Sequence, residues 1–196
     1  MISTLVPTTW DTNEALQMHL ESCGRRSLLI GLGADERNEF YSFSVASSFG
    51  LREIGVICAG FGIPASAVLV NRGRRLLVGH DGWVTWIDLD FTAIIAMHRL
   101  DGVFCEFIPV DCDDEIVVID EIGLLRVDMS GTLLWSVSVA DIIVGWHPDN
   151  NGNLVISQME GPKLTVSIAT GKVSGQTYPS IVEAATASGK CSSTEL

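Results

Sequence analysis

The chain repeats itself at an interval of about 40 residues, and that interval limits its possible folds more than any other property of the sequence. Arg75-Leu-Leu-Val-Gly-His-Asp-Gly-Trp-Val-Thr-Trp-Ile-Asp88 aligns without gaps on Glu115-Ile-Val-Val-Ile-Asp-Glu-Ile-Gly-Leu-Leu-Arg-Val-Asp128 at an offset of 40, placing Asp88 on Asp128. A third copy, Leu154 to Gly171, follows at an offset of 38 to 39, and its Gly171 matches Gly131. A fourth lies upstream, where Arg25-Arg-Ser-Leu-Leu-Ile-Gly31 echoes Arg74-Arg-Leu-Leu-Val-Gly79 and Tyr41 to Val45 supplies the next strand. Within each copy, short apolar runs rich in Val, Ile, Leu and Trp alternate with Gly, Asp, Asn or Pro. That is strand and turn chemistry, with no 3.6-residue stripe.

Four antiparallel strands in roughly 40 residues is the size of a propeller blade. In the clearest copy the strands are Val103 to Pro109, Ile116 to Asp120, Leu124 to Asp128 and Leu133 to Val139. The expected fold is all-β: a propeller-like array of about four four-stranded antiparallel blades, near 24–60, 63–100, 102–140 and 141–175, within a domain spanning 24–183. Residues 1–23 read as an N-terminal arm with a short helix near 12–21, because Asp11 to Glu14 has the spacing of a capping box ahead of Ala15, Leu16 and Leu20. The small, polar stretch 184–196 reads as a flexible tail.

Composition narrows the class. With 196 residues, 47% of them hydrophobic, the chain buries enough surface to order most of its length as one packed unit. Its apolar runs fall well short of the roughly 18–20 residues of a membrane helix, and Met1 to Trp10 lacks a basic, then apolar, signal pattern. A net charge of -12 disfavours generic binding to nucleic acid or anionic membrane. The acidity is uneven: residues 1–99 carry 10 acidic and 8 basic side chains, residues 100–196 carry 14 and 4. Five cysteines, at 23, 58, 105, 112 and 191, include no C-x-x-C pair and point to a reducing, cytoplasmic setting, with Cys58 and Cys105 as buried small hydrophobes.

The run Gly131-Thr-Leu-Leu-Trp135, followed by Ile142-Ile-Val, Asn151-Gly-Asn-Leu-Val-Ile156 and Ile168-Ala-Thr-Gly-Lys-Val173, resembles the repeat of quinoprotein-type (PQQ-like) β-propellers over about residues 65 to 175. The resemblance implies the fold. The chain departs from the enzyme members, being too short for eight blades and lacking an adjacent cysteine pair and a secretory signal. No cofactor and no cofactor-binding residue is carried over, and a non-enzymatic member is expected.

Successive turns of a meander alternate between its two ends, which sorts the polar residues without coordinates. One end collects Asn71 to Arg75, Asp111 to Glu115, Pro148 to Asn153 and the turns at Gly131 and Gly171. The other collects the turns at His80-Asp81, Asp120-Glu121 and Met159-Glu160, the links through Asp101 and Asp141, and the loop 33–39. Asp81, Asp101, Asp120, Glu121, Asp141 and Glu160 thus form a candidate acidic rim for a basic partner or a weakly held cation. The plain alternative is that they are solvated turn residues.

Other motifs carry little. Gly31-Leu-Gly33 has no third glycine, and Asp111 to Glu115 lacks the central glycine of a calcium loop. The histidines at 19, 80, 98 and 147 show no metal-ligand spacing, and no G-x-S-x-G elbow is present. Asp88 and Asp128 read as turn caps, and Trp83, Trp86, Trp135 and Trp146 as core between blades. The array must close into a ring or cover its ends: either Ile181 to Ala185 supplies a missing inner strand and closes a small ring of four blades, or the array stays open and a homodimer completes it. The expected function is a non-catalytic protein-interaction or scaffold module, with an acidic, immunity-type antagonist of a basic partner as one form. A small-molecule or cation-binding protein or enzyme using the rim or a central channel is the alternative.

Overall fold

The computed structural model describes residues 3–31, 38–48, 50–110 and 115–175. The chain begins with strands β1 (Ser3–Leu5) and β2 (Thr8–Trp10), helix α1 (Asn13–Cys23) and β3 (Ser27–Ile30). Two long strands follow, β4 (Glu39–Ser47) and β5 (Gly50–Cys58). Then come three groups of four: β6 (Ser66–Val70), β7 (Arg75–His80), β8 (Trp83–Asp88) and β9 (Ala93–Arg99); β10 (Phe104–Pro109), β11 (Glu115–Asp120), β12 (Gly123–Asp128) and β13 (Leu133–Ser138); and β14 (Ile143–Pro148), β15 (Asn153–Gln158), β16 (Leu164–Ser167) and β17 (Val173–Ser174).

They build four sheets: sheet I in the order β2-β4-β5-β3, sheet II in the order β1-β6-β7-β8-β9, sheet III β10 to β13, and sheet IV β14 to β17. Sheets II, III and IV contain the antiparallel meanders that the repeat predicts. Irregularities recur with them. The β8–β9 and β12–β13 pairs both slip register at equivalent places, between Trp86 and Ile87 and between Arg126 and Val127, and β10–β11 and β14–β15 slip after Phe104 and Ile143. Bulges at matching positions bend each sheet alike.

The upstream copy is a different object. In sheet I, β3 pairs parallel to β5, so Arg25 to Gly31 is not the second strand of a blade equivalent to Arg74 to Gly79. A parallel neighbour requires a crossover, and a likeness between two apolar runs carries no information about strand direction. The stretch read as an arm is also built in: β1 pairs with β6 as a fifth strand of sheet II, and β2 pairs with β4. Helix α1 is capped at its start by Thr12, whose hydroxyl accepts the Ala15 N–H at 3.1 Å, and ends at Gly24, which takes a positive φ of 62°.

The sheets stack in sequence through three cores. Phe43, Val45, Ile54 and Val56 of sheet I meet Leu76, Val78 and Ile87 of sheet II. Leu77, Val84 and Trp86, on the opposite face of sheet II, meet Phe104, Ile116 and Val118. Val117 and Ile119 then meet Leu154 and Ile156. Alternation along β7, β11 and β15 explains why both faces of the central sheets are apolar. At one end, Leu16 and Leu20 of α1 pack with Ile57, Trp10 and Phe40 of sheet I. Trp10 is thereby half-buried against this core, its indole N–H donating to Ser42 at 3.1 Å. Ile181 to Ala185, the tail, Asp111 to Asp114 and most of the loop 33–39 lie outside the described residues.

Candidate functional site

The end of the stack that carries the second-to-third strand turns is held by hydrogen bonds that repeat with the sequence. The Phe104 N–H donates to the Asp81 carbonyl at 2.5 Å, and one repeat later the Ile143 N–H donates to the Glu121 carbonyl at 2.7 Å. Leu100 N–H to Gly82 O and Val139 N–H to Ile122 O, both 2.8 Å, form a second matched pair. The links from sheet II to III and from III to IV are therefore each clasped to the preceding turn, which fixes the loop end to the rigid part of the fold.

Five of the six carboxylates predicted for the rim present their side chains around this end. Asp101 is exposed and accepts the Ser138 hydroxyl at 2.7 Å. Glu121 is half-buried, and exposed Glu160 donates its N–H to Asp141 at 2.6 Å. Asp81 accepts the Ala59 N–H at 2.9 Å. Asp120 does not belong to the rim surface: it is 3% exposed, and its carboxylate accepts the Ile122 N–H at 2.8 Å. Burial pushes its pKa up, against the lowering effect of backbone N–H donors at Ile122, Gly102 and Asp101. Strand alternation is the reason. His80, Asp120 and Gln158 each end the second strand of a meander, on the inward side, and all three are buried.

Sequence reading placed the tryptophans in the core, and Trp86 is there, fully buried. Trp83 is not. It is 38% exposed at the loop end, which also carries Phe61 at 63%, Ile142 at 41% and Met159 at 59%. Met159 donates its N–H to Ile142 O at 2.9 Å, so these two sit directly beside Asp141 and Glu160. Phe61 belongs to the link that the Asp81 carboxylate holds through Ala59. A cleft of about 120 Å³ between sheets II and III, lined by Arg99, Asp101, Asp120, Leu133 and Ser136, opens nearby. It is smaller than the roughly 300 Å³ at which organic ligand sites begin.

A second constellation escaped the sequence altogether. Cys58 ends β5 of sheet I, and His80 and Asp81 end β7 of sheet II and begin its turn; one ligand atom from each lies within 4.8 Å of the others. Cys58 is 1% and His80 3% exposed. His80 Nδ1 stands 3.6 Å from Asp81 Oδ2, and neither imidazole nitrogen has a hydrogen-bond partner. Asp81 holds a left-handed backbone at φ 46°, a conformation Asp tolerates better than most residues. Burial first, then the charges of Asp81 and Glu39, push the Cys58 thiol well above its ordinary range. Glu39 is the residue opposite Cys58 on β4, and it accepts the Tyr41 hydroxyl at 2.6 Å. No spacing rule finds this group, because Cys58 and His80 are joined by the packing of two sheets.

The other carboxylates singled out in the sequence are turn caps. Asp88 accepts the N–H groups of Asp90 and Phe91, and Asp128 those of Ser130 and Thr132.

No protein-family model matches the chain, and no curated protein matches it. Among solved structures it is similar to β-propeller proteins. The WD40 domain of Pan2 from Neurospora crassa superposes with a TM-score of 0.47 at 16% identity, covering 74% of this chain and 46% of that one. BamB from Moraxella catarrhalis superposes with a TM-score of 0.40 at 11% identity, covering 73% and 50%. The chain spans about half the length of these two structures.

Proposed function

We propose that the chain is a non-catalytic scaffold module that binds a protein partner through the loop end of its stacked sheets. The observation that carries this reading is the mixture of side chains there. Trp83, Phe61, Ile142 and Met159 are exposed at that end, which also carries Asp101, Glu121, Asp141 and Glu160; Ile142 and Met159 adjoin Asp141 and Glu160 directly. Apolar anchors inside a charged border are the usual anatomy of a protein-binding patch, and aromatic and Met residues are enriched in such anchors. The charges at this end are mainly acidic, Arg99 opposite Trp83 being the exception, which favours a partner that presents basic residues around an apolar centre. An intracellular, reducing setting agrees with Cys58 remaining a thiol inside the fold.

The test is partner capture from native lysate by the wild-type chain and by two loop-end variants. E121K/E160K should weaken capture and make it less sensitive to salt, because those charges speed association. I142A/M159A should weaken it by removing the anchors. Glu14→Lys, on the exposed side of α1, is the control that should capture normally. Capture unchanged by both loop-end variants would overturn the reading.

A further inference from the structure

We infer that Cys58, His80 and Asp81 form a binding site for a divalent transition-metal ion, zinc by the softness of the donors, which clips sheet I to sheet II. The ligand types are those zinc takes: thiolate sulfur, imidazole nitrogen and carboxylate oxygen. Bonds of about 2.0–2.3 Å at tetrahedral angles place donor atoms roughly 3.3–3.8 Å apart. The 3.6 Å from His80 Nδ1 to Asp81 Oδ2 already meets this, and Cys58, with its ligand atom within 4.8 Å of both, reaches the range by a small side-chain adjustment. A thiolate and a carboxylate balance the two charges of the ion.

The independent observation is His80 itself. Its ring is 3% exposed, and both nitrogens lack a hydrogen-bond partner. Buried polar groups are nearly always paired, and an unpaired one costs about 1–3 kcal/mol. The equivalent buried residues each use at least one polar atom: Asp120 accepts from Ile122, and Gln158 donates to the Pro162 carbonyl at 2.9 Å although its Oε1 is unpartnered. His80 alone of the three has its nitrogens idle beside a thiol and a carboxylate. Three protein donors leave a fourth position, which Asp81, the most exposed of the group, opens toward solvent for a water.

The experiment is titration of the full chain with Zn²⁺, and with Co²⁺ as a spectroscopic probe. One equivalent of Co²⁺ should give tetrahedral d–d bands with a sulfur-to-cobalt charge-transfer band. C58S should abolish the charge-transfer band, and H80Q should weaken Zn²⁺ affinity by at least about 100-fold. Gln is chosen because the fold already accommodates it at the matching position, Gln158, so H80Q preserves folding as circular dichroism checks. Zn²⁺ should raise the Tm of the wild type and leave that of H80Q unmoved. Absence of Co²⁺ or Zn²⁺ binding to the folded wild type, or binding that survives C58S and H80Q, would overturn the inference. Neither outcome depends on the protein partner.

Discussion

The ring of Phe104 lies over Gly79 so closely that a Cβ at residue 79 would stand 2.2 Å from it. Gly79 is on β7 of sheet II and Phe104 opens β10 of sheet III, so the missing side chain on one sheet is the space filled by an aromatic on the next. In sheet III the matching residue is Ile119, a full side chain packed in the core shared with sheet IV. Each interface is fitted separately to the repeat.

Gly79→Ala should therefore destabilise the chain by about 1–3 kcal/mol, since the ring must move within a filled core. Denaturant unfolding measures it. F104A alone should cost about 3–5 kcal/mol, and the double variant less than the two costs added, because one change vacates the space the other needs. Additive costs would show that the two residues do not compete for that space.

Asp120 gives a pH signature. Burial raises its folded pKa above the unfolded value, so its contribution is fully present below the unfolded pKa and is lost as pH rises through the folded one. D120N cannot lose what it does not titrate. The stability of D120N relative to wild type should rise from about pH 3 to about pH 7, both being followed by urea unfolding. A difference that stays flat over that range would mean Asp120 titrates as an ordinary carboxyl.

Asp128 has the opposite sign. Burial tends to raise its pKa, but hydrogen bonds from Ser130 and Thr132 outweigh this and hold it below the ordinary value. Its contribution is present above the unfolded pKa and is lost as pH falls through the folded one. D128A should cost about 1 kcal/mol at neutral pH, modest because the group is only half-buried, and the cost should shrink in acid. Melting curves of both chains against pH would reveal a cost that does not change, contrary to this expectation.

These residues also mark what the sequence makes legible. Period-two alternation between turn residues located the strands of sheets II to IV, and the offset of Asp88 to Asp128 located matching turns. The same alternation, followed to the end of β11, would have turned Asp120 inward and removed it from the rim. Three things were not legible. The parallel pairing of β3 with β5 depends on chain direction, which an apolar run does not encode. The entry of β1 into sheet II rests on a three-residue pairing, Ser3 to Leu5 against Ala67 to Leu69, too short to leave a periodicity. Cys58 and His80 meet only because sheets I and II stack.

That stacking makes stability local. Each sheet touches its sequence neighbours through its own core, and α1 packs on the first, so damage at one end should not spread evenly. Leu16 is fully buried between α1 and sheet I, and Leu20 sits against Gly55, whose added Cβ would lie 2.6 Å from it. Leu16→Ala should cost about 2–5 kcal/mol by leaving a cavity and loosening the helix. In native-state hydrogen exchange, amides of α1 and of β4 and β5 should lose protection first, while those of β11 and β15, two and three sheets away, should keep most of theirs. Exposure of Phe40 and Ile57 should accompany this and be seen as increased binding of a hydrophobic dye. Equal loss of protection in all four sheets would instead mean that they unfold as a single cooperative unit, with α1 an integral part of it.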